Sequence, residues 1–134
     1  MVSGADGTRR RFRILLVDDE RSVRTVSAEL IRTLGYEVLA AESGQEALEL
    51  CRQVGGRIDA VLLDVLLPGT SGPELYEALQ AVAPSARVVL CSGTHQDPDA
   101  QALIASGRAD FLEKPYTAVA LAEALAEAVR WGEA

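Results

Sequence analysis

The sequence predicts an α/β fold in three layers, with a parallel five-stranded sheet held between helices. Three observations predict it. Short apolar runs of strand length alternate five times with segments whose apolar residues recur at helical spacing, the pattern of a parallel sheet covered on both faces. The central run, Ala60-Val61-Leu62-Leu63 between Asp59 and Asp64, lacks any polar alternation, which suits a strand buried on both sides. Polar residues then collect just past the strands, at Asp18-Asp19, Asp64, Ser92 and Lys114.

The elements follow in order. Residues 1–11 are polar and glycine-containing, with Arg9, Arg10 and Arg11 in a row, and read as a solvated tail or linker. Phe12 to Val17 is the first strand. From Ser22, the residues Val23, Val26, Leu30 and Leu34 recur at helical spacing, and Gly35 caps that helix at its carboxyl end. Glu37 to Ala41 is the second strand. Ser43 with Glu46 forms a capping box that opens a helix through Ala47, Leu50, Cys51 and Val54, and Gly55-Gly56 ends it.

After the central strand, Pro68-Gly69 and Ser71-Gly72 are turn chemistry. Ser71 and Glu74 make a second capping box, with Pro73 tolerated in the first turn. Leu75, Leu79 and Val82 supply the buried face of that helix, which Pro84 ends. Arg87 to Cys91 is the fourth strand. Asp97-Pro98 caps and starts the fourth helix, and Gly107 stops it. Ala109 to Leu112 is the fifth strand. The last helix runs from about Thr117 to Trp131, with Leu121, Leu125 and Val129 on one face.

With 134 residues the chain is one domain of ordinary size, placed at 12–131, with 132–134 a short tail. Half the residues are apolar and a quarter charged, as in soluble globular domains. A net charge of −7 argues against non-specific nucleic-acid binding, which needs a basic surface. Two cysteines, Cys51 and Cys91, fall in apolar contexts and read as buried thiols in a reducing compartment. The apolar runs are too short to span a bilayer, and the polar N-terminus lacks a signal-peptide core, so a cytoplasmic location is expected.

Strand two alone ends without a polar cluster, which fits an edge position. Right-handed crossovers then leave the flavodoxin-like (βα)5 order 2-1-3-4-5. In a parallel sheet, Asp18, Asp19 and Asp64 converge on one rim. On its own stretch Asp64 reads equally as a strand-end cap or a site residue; its companions favour the site. Three close carboxylates repel unless a cation compensates, and an oxygen-rich, histidine-free set suits Mg²⁺. Lys114 would face them as a fixed positive charge, and Ser92 would offer a hydroxyl. A carboxylate so flanked is arranged to attack phosphorus. His95 reads as an exposed loop residue.

Four motifs, in order and with fitting gaps, resemble the receiver domain of two-component response regulators. They are Leu16-Val17-Asp18-Asp19-Glu20, Leu63-Asp64 with Pro68-Gly69 and Ser71-Gly72, Cys91-Ser92-Gly93, and Phe111-Leu112-Glu113-Lys114-Pro115. The resemblance implies Asp64 as phosphoacceptor and Mg²⁺ (with Mn²⁺ as a substitute) on Asp19, Asp64 and the Leu66 carbonyl. Asp18 would mainly position a metal-bound water. Ser92 would bond a phosphoryl oxygen, and Lys114 would pair with Asp64 and then with the phosphoryl group. Ser92 and Phe111 would form the switch, Leu66 and Thr94 would set phosphoryl lifetime, and the Lys114-Pro115 bond would be cis. Leu67 stands where methionine is usual, a volume-conserving change.

The implied donor is a histidine kinase or a histidine phosphotransfer protein. The domain would promote only its own phosphorylation and dephosphorylation, with dimerisation possible on phosphorylation. A stand-alone regulator and a receiver belonging to a hybrid sensor kinase both fit, and the Ser71-Gly72-Pro73-Glu74-Leu75 and Cys91-Ser92-Gly93 wording resembles the receivers of hybrid sensor kinases. A flavodoxin-like nucleotide module would want a Gly/Ser/Thr-rich loop where three acids stand after strand one. A phosphatase with an aspartyl nucleophile usually needs a larger, capped chain.

Overall fold

The computed structural model describes residues 11–67, 69, 72–93 and 97–131. In chain order the elements are β1 (Arg13–Val17), α1 (Arg21–Thr33), β2 (Glu37–Ala41), α2 (Gly44–Gln53), β3 (Ala60–Asp64), α3 (Gly72–Val82), β4 (Arg87–Ser92), α4 (Pro98–Ala105), β5 (Ala109–Glu113) and α5 (Ala118–Trp131). The strands form one parallel sheet in the order β2-β1-β3-β4-β5, the flavodoxin-like arrangement expected. Phe12 falls just outside β1, though its carbonyl still accepts the Glu37 N–H at 3.0 Å. β4 and β5 each run one residue further than the sequence suggested, to Ser92 and Glu113.

Strand alternation splits the core between the two faces of the sheet. Leu15, Val17, Val61, Leu63, Val88 and Leu90 point to the side covered by α2, α3 and α4, where Cys51, Leu75 and Leu79 meet them. Ile14, Leu16, Leu62, Val89 and Cys91 point to the side covered by α1 and α5, against Ile31, Leu121 and Leu125. Each fully buried Leu or Ile contributes about 1.5–3 kcal/mol relative to exposure, so these two layers hold the sheet. Residues 1–10 and 132–134 of the expected tails, the Ser71 cap, Thr94 and His95 lie outside the described residues.

One sequence reading is corrected. The expected α1 face of Val23, Val26, Leu30 and Leu34 is not the buried one. Ser27, Ala28 and Ile31 are buried, while Val26 is 61% and Leu34 41% exposed. The helix carries more apolar surface than the sheet covers. Ser27, Ala28 and Ile31 take the buried line against the sheet, and the predicted stripe becomes its margin. Val23, Val26 and Leu30 of that margin, with Pro115 and Tyr116, line an open cleft of ≈ 560 Å³ beside Lys114.

The caps follow the sequence more closely. Ser43 accepts the Glu46 N–H at 3.1 Å, but the Glu46 carboxylate reaches past it to the Glu42 N–H, at 2.7 Å. Asp97 accepts the N–H groups of Asp99 and Ala100 ahead of Pro98. Gly56 matters most among the turns: its φ is +75°, and a Cβ there would meet the Val82 carbonyl oxygen at 2.4 Å.

Candidate functional site

Three strands bring their ends to one rim because they are parallel and in register. β1 ends at Val17, paired with Leu63 of β3, so Asp18 and Asp19 emerge beside Asp64. β4 is hydrogen-bonded on the far side of β3, with Asp64 opposite Cys91, which places Ser92 one step further along the same rim. β5 follows β4 and delivers Lys114, whose backbone N–H donates to the Ser92 carbonyl at 2.8 Å. The expected phosphoacceptor, acidic pair, hydroxyl and lysine thus share one end of the sheet.

The side chains meet there. One carboxylate oxygen from each of Asp18, Asp19 and Asp64 lies within 4.8 Å of the others. The Lys114 ammonium donates to Asp18 Oδ2 at 2.8 Å and sits 3.4 Å from Asp64 Oδ2. Desolvation works to lower the Lys114 pKa, but the bond to Asp18 and the charge of Asp64 outweigh it, and the net shift is upward. The lysine therefore stays an ammonium at neutral pH.

The three acids have different surroundings. Asp18 is buried and held on both oxygens, since Oδ1 accepts the Glu20 N–H at 2.9 Å and Oδ2 accepts Lys114. Asp19 is exposed. Asp64 is half-buried, and its Oδ1 accepts the Leu66 N–H at 3.1 Å. Asp64 Oδ2 also lies by Lys114, so Asp19 is the most open of the three to an incoming cation. Hard oxygen donors, without histidine or cysteine in the group, fit Mg²⁺.

The remaining expected residues are placed as follows. Ser92 is buried at the end of β4. Phe111 lies in β5 opposite Leu90, half-buried against the α2–α3–α4 core. The Leu66 side chain is 68% exposed on the rim, while Leu67 turns inward to 7%. The Lys114–Pro115 peptide is cis. Cys91 is buried behind the site, and burial pushes its thiol far above the ordinary value, so it stays protonated.

Two supports carried no sequence signal. Arg24, a turn into α1, donates to the Asp18 backbone carbonyl at 2.9 Å and steadies the acidic loop. Ser27 and Tyr116 share a hydrogen bond of 2.6 Å between α1 and the segment after Lys114. Both depend on contacts between distant segments, which no local pattern announces.

Residues 14–126 match the family model of the response regulator receiver domain. The chain belongs to that family, the receivers of two-component signalling. It is 37% identical over 114 residues to the sensor kinase CckA of Brucella abortus, covering 85% of this chain but only 12% of the kinase. It is 34% identical to the chemotaxis protein CheY of Listeria monocytogenes, covering 89% of this chain and 99% of that protein. Among solved structures, the receiver domain from the hybrid histidine kinase CckA superposes with a TM-score of 0.74 at 37% identity, covering 87% of this chain and 98% of that one. Vibrio cholerae CheY4 gives 0.79 at 26%, covering 89% and 99%. Among the described residues no helix is long and apolar enough to cross a membrane.

Proposed function

We propose that this receiver accepts a phosphoryl group on Asp64 from the phosphohistidine of a histidine kinase or a histidine phosphotransfer protein. The observation that carries this is Lys114: one ammonium between the buried Asp18 and Asp64, beside the open carboxylate of Asp19. Asp19, Asp64 and the Leu66 carbonyl would hold Mg²⁺ (or Mn²⁺), with Asp18 orienting a bound water, and the ion would supply charge neutralisation at the phosphoryl oxygens.

An Asp64 oxygen attacks phosphorus in line, the new O–P bond forming as the P–N bond to imidazole breaks, and the ring nitrogen leaves with the electron pair. Lys114, already within reach of Asp64, follows the charge onto the phosphoryl oxygens. Ser92 donates its hydroxyl to one of them. Hydrolysis reverses the modification: a water oxygen bonds phosphorus, the O–P bond to Asp64 breaks, and carboxylate and inorganic phosphate result. The domain thus promotes its own phosphorylation and dephosphorylation, the phosphoryl group coming from the donor.

Movement of Ser92 toward the phosphoryl group would free space for Phe111 to turn inward, biasing the face formed by α4, β5 and α5 between two states. The cleft flanked by Val23, Val26 and Leu30 borders Lys114 and gives a donor protein an apolar surface next to the reacting groups. Likeness to both a hybrid-kinase receiver and a full-length chemotaxis protein supports the two settings expected, within a longer kinase or alone.

Acetyl phosphate with Mg²⁺ tests the assignment directly. The protein should gain one acid-stable, hydroxylamine-labile phosphoryl group, and Asp64→Ala should gain none. Persistent Mg²⁺-dependent labelling of the variant would remove Asp64 from its role.

A further inference from the structure

Ser27 is an oddity in its setting. It lies mid-helix in α1, 2% exposed, with Ala28 and Ile31 on the same buried face. Serine is a weaker helix former than alanine, and a buried hydroxyl without a partner is costly. Alanine would fill this place at the sheet with no polar group to satisfy. The partner that Ser27 has is the Tyr116 hydroxyl, 2.6 Å away and 89 positions along the chain.

Tyr116 belongs to the short connection between β5 and α5 that begins with Lys114. That connection is held at its start by the Lys114 N–H on the Ser92 carbonyl, and at its end by Thr117, whose hydroxyl accepts the Ala120 N–H. The phenol is half-buried, and burial raises its pKa, so the O–H is intact at neutral pH. α1, for its part, starts directly after the Asp18-Asp19-Glu20 loop and returns Arg24 to the Asp18 carbonyl. The Ser27–Tyr116 bond therefore joins the helix that steadies the acidic loop to the segment that carries the lysine.

We propose that Ser27 and Tyr116 are positioning residues for the phosphoryl chemistry. Their bond holds the β5–α5 connection against α1 so that the Lys114 ammonium stays between Asp18 and Asp64. Neither touches the reacting atoms. Since both hydroxyls make one bond, loss of either should be equivalent to loss of both. The proposal rests on Asp64 being the phosphoacceptor, but the placement of Lys114 is a separate matter that can be read without phosphate.

The test uses Ser27→Ala, Tyr116→Phe and the double variant, each keeping the bulk of its side chain. The first readout is the NMR resonance of the Lys114 side-chain ammonium and its Cε in protein without phosphate. It should shift in both single variants and shift no further in the double. An unmoved resonance, or two shifts that add, overturns the proposal whatever becomes of the phosphorylation reading.

The second readout separates Mg²⁺ affinity from the rate of phosphorylation by acetyl phosphate. Misplacement of Lys114 should slow labelling about tenfold in all three variants. Mg²⁺ affinity should stay within about twofold, because Asp18, Asp19 and Asp64 are left in place. Parallel loss of both would indicate general loosening and overturn the proposal, as would unchanged labelling. If the unmodified protein is not labelled at all, the phosphoacceptor reading fails, while the ammonium resonance still decides whether this bond places Lys114.

Discussion

Leu66 stands two residues past Asp64 with its side chain 68% exposed and its N–H bonded to Asp64 Oδ1. An isobutyl group on the rim offers no hydrogen bond to a water approaching the phosphoryl group, whereas an amide side chain would. Leu66→Asn should therefore hasten loss of phosphate from Asp64 by about tenfold, a barrier change of ~1.4 kcal/mol. The check is the decay of labelled protein after removal of acetyl phosphate, and an unchanged half-life would remove Leu66 from the lifetime-setting role. Asp18, Asp19, Asp64, Ser92 and Lys114 were placed at one rim by the sequence because each ends a strand or follows one within two residues, and parallel strands bring such ends together. Arg24, Ser27 and Tyr116 were not. Their roles arise from contacts across α1 and the β5–α5 connection, and nothing in their neighbours' spacing points to a partner.

Helix and strand placement depends on local chemistry, and here the sequence was informative: β2 and the Asp97-Pro98 start of α4 fall where expected. The face of α1 was misread for an identifiable reason. Val23, Val26 and Leu30 keep helical spacing as well as the true face does, but the sheet covers only one of two adjacent apolar lines. The turn after α2 shows the reverse, where a dipeptide signal had more content than its role as a stop. Gly55 and Gly56 both have positive φ, yet only Gly56 packs against another element, the Val82 carbonyl at the end of α3. Gly55→Ala should cost about 1–2 kcal/mol from the left-handed backbone alone. Gly56→Ala adds a Cβ with backbone in its way and should lose about 3 kcal/mol or more. Urea denaturation of the two variants checks this, and equal losses would show that the approach of α2's turn to α3 is not close in solution.

At the scale of the molecule, the topology that builds the site also places like charges together. Asp18, Asp19 and Asp64 occupy one rim because β1 and β3 are central neighbours, and Lys114 is the cation seated among them. Their repulsion opposes folding in the metal-free protein, within a chain already carrying a net charge of −7. Asp19 is exposed and, unlike Asp18, is not needed to hold Lys114, so its charge can be removed with little loss of packing. Asp19→Asn should therefore melt higher than the unmodified protein in EDTA. With Mg²⁺ the order should reverse, because on the proposed metal assignment Asp19 is a ligand that asparagine would replace poorly. At a hundredfold excess over the dissociation constant the ligand stabilises by about 2.7 kcal/mol, equivalent to roughly 10 °C for a domain of this length. Thermal melts in EDTA and in Mg²⁺ distinguish the cases. A rise with Mg²⁺ of similar size in Asp19→Asn would mean that the ion binds elsewhere. A variant that melts lower even in EDTA would mean that the acidic rim supports the fold rather than straining it.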